Sequence, residues 1–199
     1  MLKSTITTIF ILLVIAAGSS QEEQTAAQFQ EELTKEYKNP KKSPLKNNAR
    51  KFKGHDFFAI DSTYIVAAKF IRTLSAIPFQ MKTTTSRLPT YEKYAEAHFT
   101  IAGQELVLSI YQSHGLRDTE EYKEYLFLPF NDHTNGEETY GGGRFIDLAI
   151  PEGDTIIIDF NKAYNPYCAY SADYSCPIPP KENDLAVQIS AGVKNPRNH

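Results

Sequence analysis

Short segments rich in aromatic and β-branched residues recur along most of the chain, and turn-forming residues separate them. The clearest covers residues 91–113, where Ala102-Gly103 marks a tight turn between two alternating halves. The others lie at residues 57–73, 77–87, 122–130, 143–150, 154–160 and 184–192. No helix-period segment separates them, which argues against parallel βαβ units. The pattern predicts a mainly β fold, an antiparallel barrel or sandwich of roughly eight to ten strands.

One amphipathic helix precedes the strands. Phe29, Leu33 and Tyr37 recur every four positions within residues 22–37, with Glu and Gln between them. Pro40 ends the pattern, because proline lacks an amide hydrogen and disfavours helical backbone before it. The narrow apolar stripe predicts a helix that packs on the outside of the domain or on a partner.

The first 20 residues have the layout of a secretory signal peptide. Lys3 precedes an apolar run from Ile6 to Ala17, and small residues follow before an acidic segment. The run is short for a membrane-spanning helix, and an uncleaved anchor is the alternative. We expect an exported protein, periplasmic or secreted, whose mature chain begins near Gln21 and keeps no membrane span.

Length limits the number of domains that can follow this signal. The chain has 199 residues, of which 41% are hydrophobic, enough for one domain with a sizeable core. We expect a signal peptide at residues 1–20, a helix with a basic connector at residues 21–54, and a single β domain at residues 55–199.

Basic residues cluster in that connector. Residues 38–53 contain seven Lys and Arg and no acidic residue, although the chain has a net charge of −3. The acidic balance elsewhere argues against a nucleic-acid partner. Because Asn39-Pro40 and Ser43-Pro44 interrupt regular structure, we expect a solvated connector, with docking on an anionic surface as the alternative.

Two cysteines, Cys168 and Cys176, are the whole complement. In an exported protein, an even and closely spaced pair predicts a disulfide. The alternative is a thiolate nucleophile at Cys168, for which His133 is the candidate base.

The unusual polar residues concentrate in two loops, of which the first covers residues 132–144. Its turn formers and the run Gly141 to Gly143 allow backbone to approach a ligand closely. Arg144 then supplies a cationic fork for a carboxylate or phosphate. The alternative is a hairpin tip in which Arg144 pairs with Asp147 or Asp159.

The same loop carries oxygen and nitrogen donors that a metal could use. They are Asp132, His133, Glu137 and Glu138. None of the recognised ligand spacings is present, so we predict neither a metal nor a cofactor.

The second loop covers residues 159–183 and is crowded with short amides and phenols. Asp159, Asn161, Tyr164 and Asn165 follow the end of a predicted strand, and several prolines stiffen the segment. Directional hydrogen bonds beside apolar ring surface are typical of small-molecule pockets. The alternative is that these side chains only satisfy buried backbone groups.

Both loops resemble a known family. The pattern Phe130-x-Asp132-x-Thr134-x-Gly136-x-x-Thr139-Tyr140-x-x-Gly143-Arg144 is followed by Asp159-Phe160-Asn161-x-Ala163-Tyr164-Asn165-Pro166-x-Cys168-Ala169-Tyr170 and by Cys176-Pro177-x-Pro179-Pro180-x-x-Asn183. It resembles the family called domain of unknown function 1684, over roughly residues 45–195. The family implies no established activity.

The chain departs from that family pattern at three positions, Ile65, Phe145 and Val193. Chemistry at these three positions is therefore not carried over. The resemblance also implies a cysteine pair in members without export signals, which keeps a free or metal-binding pair open as an alternative.

Three functions are compatible with these observations. The first is binding of a small polar or anionic ligand in a pocket between the two loops. Its candidate ligand-binding residues are Thr139, Tyr140, Arg144, Asp159, Asn161, Tyr164, Asn165 and Asn183. The second is a hydrolase with Asp132 or Glu138 as general base and Arg144 stabilising negative charge. The third is an interaction protein whose contact surface is the basic connector.

Overall fold

The protein is described here by a computed structural model covering residues 24–196. The predicted signal peptide at residues 1–20 lies outside this range. Within the described range, no helix is both long and apolar enough to span a membrane.

Helix α1 spans Ala26–Lys38, close to the predicted residues 22–37. It begins with a capping box: the Gln28 amide donates to the Thr25 hydroxyl over 3.3 Å, and the Thr25 amide donates to the Gln28 side chain over 2.9 Å. Its apolar side is turned toward its own domain, because Ala26 and Tyr37 are buried and Gln30 donates to the Asn161 carbonyl.

Seven strands form one antiparallel sheet, which confirms the mainly β prediction with slightly fewer strands than expected. They are β1 (Ile65–Arg72), β2 (Phe79–Gln80), β3 (Thr90–Ile101), β4 (Gln104–Ser113), β5 (Tyr125–Phe130), β6 (Arg144–Ala149) and β7 (Thr155–Asp159). Their order is β6-β5-β4-β3-β1-β7, and β2 pairs with β3. The sheet curls into a half-barrel. A four-residue helix, α2 (His114–Arg117), follows β4.

The long hairpin of β3 and β4 carries the expected two-residue turn. Ile101 pairs with Gln104, and Ala102 and Gly103 between them have φ values of +51° and +77°. Both residues therefore have the left-handed backbone of a type I′ turn, which matches the twist of the flanking strands.

The predicted last strand, residues 184–192, does not form a strand. Leu185, Val187, Ile189 and Ala191 nevertheless alternate into the core. The segment has an isolated bridge at Asp184 but no continuous ladder. Backbone groups of residues 131 and 133 bond Leu185 and Val187, and side chains of the first predicted loop bond Ile189 and Ala191.

The two faces of the sheet carry different clusters. The main core takes Leu126, Leu128 and Phe130 from β5, whereas Phe127 joins Phe145 in a second cluster. Successive strand residues point to opposite faces, so β5 serves both clusters. The second cluster is completed by Met81, Tyr91, Tyr111 and the partly buried Phe79, Tyr125 and Tyr164.

A substitution at Leu128 tests how much the main core contributes to the free energy of unfolding. Its side chain is fully buried, so Leu128→Ala removes packed apolar volume and is expected to lower the free energy of unfolding by about 2–5 kcal/mol. Urea denaturation followed by circular dichroism measures this. The matched control is Leu74→Ala, because Leu74 is 91% exposed and its truncation leaves the transition midpoint nearly unchanged. Equal midpoints for the two variants would contradict the assignment of Leu128 to the core.

Candidate functional site

Arg144, the residue expected to bind an anion, lies in the core with no exposed surface. Its Nη2 donates to Asp132 Oδ2 over 2.7 Å and to the Ile189 carbonyl over 2.9 Å. Its Nη1 donates to the Ala191 carbonyl. The guanidinium therefore holds residues 189–191 against β6, and ligand contact would require these bonds to open.

Asp132 is committed to the same arrangement. Its Oδ1 accepts bonds from the Thr134 amide (2.9 Å), the Thr134 hydroxyl (2.6 Å) and the Ile189 amide (3.2 Å). The Thr134 hydroxyl also lies 2.8 Å from that of Thr139, which is buried. Both carboxylate oxygens of Asp132 are thus occupied, and Glu138 lies on the surface. Asp132, Glu138 and Arg144 do not converge on one accessible site.

The glycine run, residues 141–143, lies close to atoms of other protein segments. Gly143 has a φ of +87°, and a Cβ there would lie 2.5 Å from Pro179 Cγ and 2.9 Å from the Phe130 carbonyl. Glycine is therefore required because two protein segments come together at this point.

The amides of the second loop replace missing strand partners. Asn161 Nδ2 donates to the Asp61 carbonyl (2.9 Å) and to Asp159 Oδ1 (2.8 Å), and its Oδ1 accepts from the Asp61 amide (3.0 Å). Asn183 bonds the Ser109 amide and carbonyl, both at 2.8 Å, and also the Pro129 carbonyl. These contacts match the alternative in which the side chains satisfy buried backbone groups.

Asn165 has a similar structural position. Its Nδ2 donates to the Tyr170 hydroxyl over 3.1 Å and to the Lys194 carbonyl over 3.0 Å. Its Oδ1 is buried and has no hydrogen-bond donor in the described part of the chain.

A cavity of about 910 Å³ lies elsewhere, against the sheet face that carries the second cluster. Its other walls are formed by helix α1, residues 87–89, residues 114–118 and residues 164–177. The strands contribute Tyr91, Ser113, Tyr125, Phe127, Phe145 and Asp147. The other walls include Phe29, Leu33, Glu36, Tyr164, Tyr167 and Tyr174. Of the eight predicted ligand-binding residues, Tyr164 alone lines this cavity.

A carboxylate stands among these rings. The hydroxyls of Tyr125 and Tyr164 each donate to Asp147 Oδ1 over 2.7 Å. Phe127 is the register partner of Asp147, which places Tyr125 diagonally opposite it on the same face. Both phenols donate to the same oxygen, Oδ1, of Asp147. The other oxygen, Oδ2, has no hydrogen-bond donor among residues 24–196.

The surroundings of Asp147 disfavour its charge. Asp147 keeps accessible surface, and it lines the open cavity among aromatic rings. Desolvation raises the pKa of this carboxyl above its usual range, against the opposing effect of the bonds from Tyr164 and Tyr125. Burial, followed by the charge of Asp147, also raises the pKa of Tyr164, so this phenol stays a donor.

His114 lies at the cavity wall but has no free ring nitrogen. Its Nε2 is 3.0 Å from Glu92 Oε2, and its Nδ1 is 3.4 Å from Arg117 Nη2. Arg117 Nη1 also donates to Glu92 over 2.9 Å. Burial acts to raise the pKa of Glu92, but the bonds from His114 and Arg117 outweigh it and lower the pKa. This network connects the first residues of β3 to helix α2. It leaves no ring nitrogen of His114 for a general base.

The predicted disulfide is not formed in the structure. Cys168 and Cys176 are both free thiols, and the Cys168 amide lies 3.1 Å from Cys176 Sγ. Cys176 lines the cavity. Across residues 24–196, no group of three or more potential ligands is arranged to hold a metal.

Sequence reasoning did not single out Asp147, Tyr125 and Phe127 as site residues. Asp147 reads as the solvent-facing position of an alternating strand, and its partner rings lie on another strand. The available signal was the aromatic residue at every second position of β5, Tyr125 and Phe127, with Phe145 on β6 diagonal to Phe127.

The fold and site define a half-barrel with a ring-lined cavity that contains one carboxylate. The chain belongs to the family described as "Protein of unknown function (DUF1684)", which matches residues 50–194. The chain is also similar to the solution NMR structure of an uncharacterised protein from gene locus rrnAC0354 of Haloarcula marismortui, with 30% identity and a TM-score of 0.65. That match covers 83% of this chain and 89% of the other. No curated protein matches the chain.

The contribution of the Arg144–Asp132 pair to stability can be tested by mutation. Asp132→Asn leaves a buried guanidinium without its counter-charge and is expected to lower the free energy of unfolding by about 3–5 kcal/mol. The matched control in the same loop is Glu138→Gln, which changes an exposed carboxylate and leaves stability nearly unchanged. Chemical denaturation of both variants makes the comparison. If Asp132→Asn lost no more free energy of unfolding than Glu138→Gln, the pair would not stabilise the core.

Proposed function

We propose that this protein binds a small molecule in the cavity, with the apolar part of the ligand against the rings and a hydrogen-bond donor or amine at Asp147. The observation that carries this proposal is the carboxylate itself, held by Tyr125 and Tyr164 through one oxygen with the other left to accept. A volume of about 910 Å³ is within the range of small-molecule sites.

The raised pKa of the Asp147 carboxyl supports a binding role. Its raised pKa means that the folded protein holds a proton more tightly there than the unfolded chain does. Folding stability therefore falls as pH rises from the usual carboxyl pKa through the raised one. A residue that reduces stability at neutral pH is typical of a functional site.

The geometry changes the expected ligand class. Sequence analysis predicted a small polar or anionic ligand because Arg144 was assigned to the pocket. Arg144 is sequestered by Asp132, and the cavity cation Arg87 bonds the Ser175 carbonyl over 2.8 Å. A carboxylate among rings instead favours a ligand with an apolar body and a donor or positive charge.

Phenethylamine, 2-phenylethanol and phenylacetate form a matched set of probes, because they share a ring and differ in charge. NMR titration of the full chain at neutral pH is expected to show that the amine binds most tightly and phenylacetate most weakly. Asp147→Asn removes the ionic attraction and is expected to weaken amine binding about tenfold, or ~1.4 kcal/mol. The same variant is expected to raise the free energy of unfolding at neutral pH.

The pH dependence has a definite sign. Amine affinity is expected to fall as pH is lowered through the raised pKa of Asp147, because the protonated acid no longer attracts the cation. Asp154→Asn is the control, since Asp154 is exposed and outside the cavity. Preference for phenylacetate, or amine affinity unchanged in Asp147→Asn, would contradict the proposal.

Export is a second part of the proposed function, supported by the sequence of residues 1–20. Expression of the full chain in a bacterial host, followed by fractionation and N-terminal sequencing, is expected to yield a periplasmic or secreted protein that begins near Gln21. Recovery of a cytoplasmic chain that still begins at Met1 would contradict it.

A further inference from the structure

The cysteine pair has an arrangement that ligand binding does not use. Cys176 is 6% exposed and forms part of the cavity wall, whereas Cys168 is more accessible. The Cys168 amide donates to Cys176 Sγ over 3.1 Å, which places the two cysteines side by side. Cys168 is therefore the more exposed of two neighbouring cysteines.

The two sulfurs differ in their surroundings. Cys176 and the hydroxyls of Tyr140 and Thr84 act on the Cys168 thiol by hydrogen bonding. The bond from Cys176, with support from these hydroxyls, lowers the pKa of Cys168 against the effect of burial. The bond to Cys168, together with burial, raises the pKa of Cys176. Because the thiolate is the reactive form, Cys168 is the better attacking group.

We propose that Cys168 and Cys176 form a redox-active dithiol that exchanges with small disulfides, with Cys168 as the attacking thiol and Cys176 as the resolving thiol. The geometry carries this assignment, since the more accessible Cys168 lies next to the nearly buried Cys176, with its amide 3.1 Å from Cys176 Sγ. The proposal does not depend on ligand binding at Asp147.

The exchange balances in two steps. The Cys168 thiolate attacks one sulfur of a disulfide R–S–S–R, forming a mixed disulfide and releasing one thiolate, RS⁻, which takes up the proton that Cys168 lost. Cys176 then loses its proton and attacks Cys168 Sγ, which forms the Cys168–Cys176 bond and releases the second RS⁻, protonated in turn. Two cysteine thiols are oxidised, and one small disulfide is reduced to two thiols.

The product changes a wall of the cavity. The new bond closes residues 168–176 into a loop that contains Tyr174, and Tyr167 immediately precedes it. The oxidation state of the pair thereby constrains two of the rings that line the cavity.

The test uses the full chain and bis(2-hydroxyethyl) disulfide, followed by intact-mass and peptide mass spectrometry. The unmodified chain is expected to lose two hydrogen atoms without a lasting adduct. Cys176→Ser keeps a hydroxyl donor next to Cys168 and is expected to accumulate the mixed disulfide on Cys168. Cys168→Ser is expected to form an adduct on Cys176 at least about tenfold more slowly.

Two further measurements separate this assignment from a merely structural pair. The adduct rate of Cys176→Ser is expected to decline only below the ordinary thiol range as pH is lowered, and Tyr140→Phe in that background is expected to move the decline to higher pH. Equal rates for the two serine variants would overturn the assignment of roles. Two free thiols after prolonged incubation of the unmodified chain would overturn the redox activity itself.

Discussion

The ion pair between Arg144 and Asp132 is the interaction on which the rest of the structure depends. Residues 184–192 have the alternating side chains of a strand. Backbone hydrogen bonds join Leu185 and Val187 to residues 131–133, but the backbone groups of Ile189 and Ala191 need other acceptors and donors. Arg144 and Asp132 supply them at Ile189 and Ala191. A charged pair in the core therefore replaces part of the hydrogen bonding that a neighbouring strand would provide.

Much of the fold could be predicted from sequence, because strand alternation, the helical stripe and the Ala102-Gly103 turn are local features. Residues 184–192 could not be placed correctly, since their side-chain pattern is that of a strand, whereas the backbone of Ile189 and Ala191 is bonded by the side chains of Asp132 and Arg144. Burial follows the pattern of apolar residues, whereas pairing depends on which segments become neighbours.

The candidate site was less accessible to sequence reasoning. Arg144 in a glycine setting has the same local sequence whether it faces a ligand or a carbonyl, and Asn161 and Asn183 are equally ambiguous. Asp147 becomes conspicuous only when the register of β5 and β6 places it beside Tyr125 and opposite Phe127. Residue type indicated where polar chemistry would concentrate, but the cavity depends on the pairing of distant strands.

Strand β5 has consequences for how this fold can diversify. Leu126 and Leu128 lie in the main core, while Tyr125 and Phe127 belong to the cavity. Neighbouring positions on a single strand are therefore subject to separate constraints, one from the packing of the main core and one from the shape of the cavity. Exchanges at the odd-numbered positions would change the cavity wall while the even-numbered side chains keep the half-barrel packed, so one short strand separates the two properties.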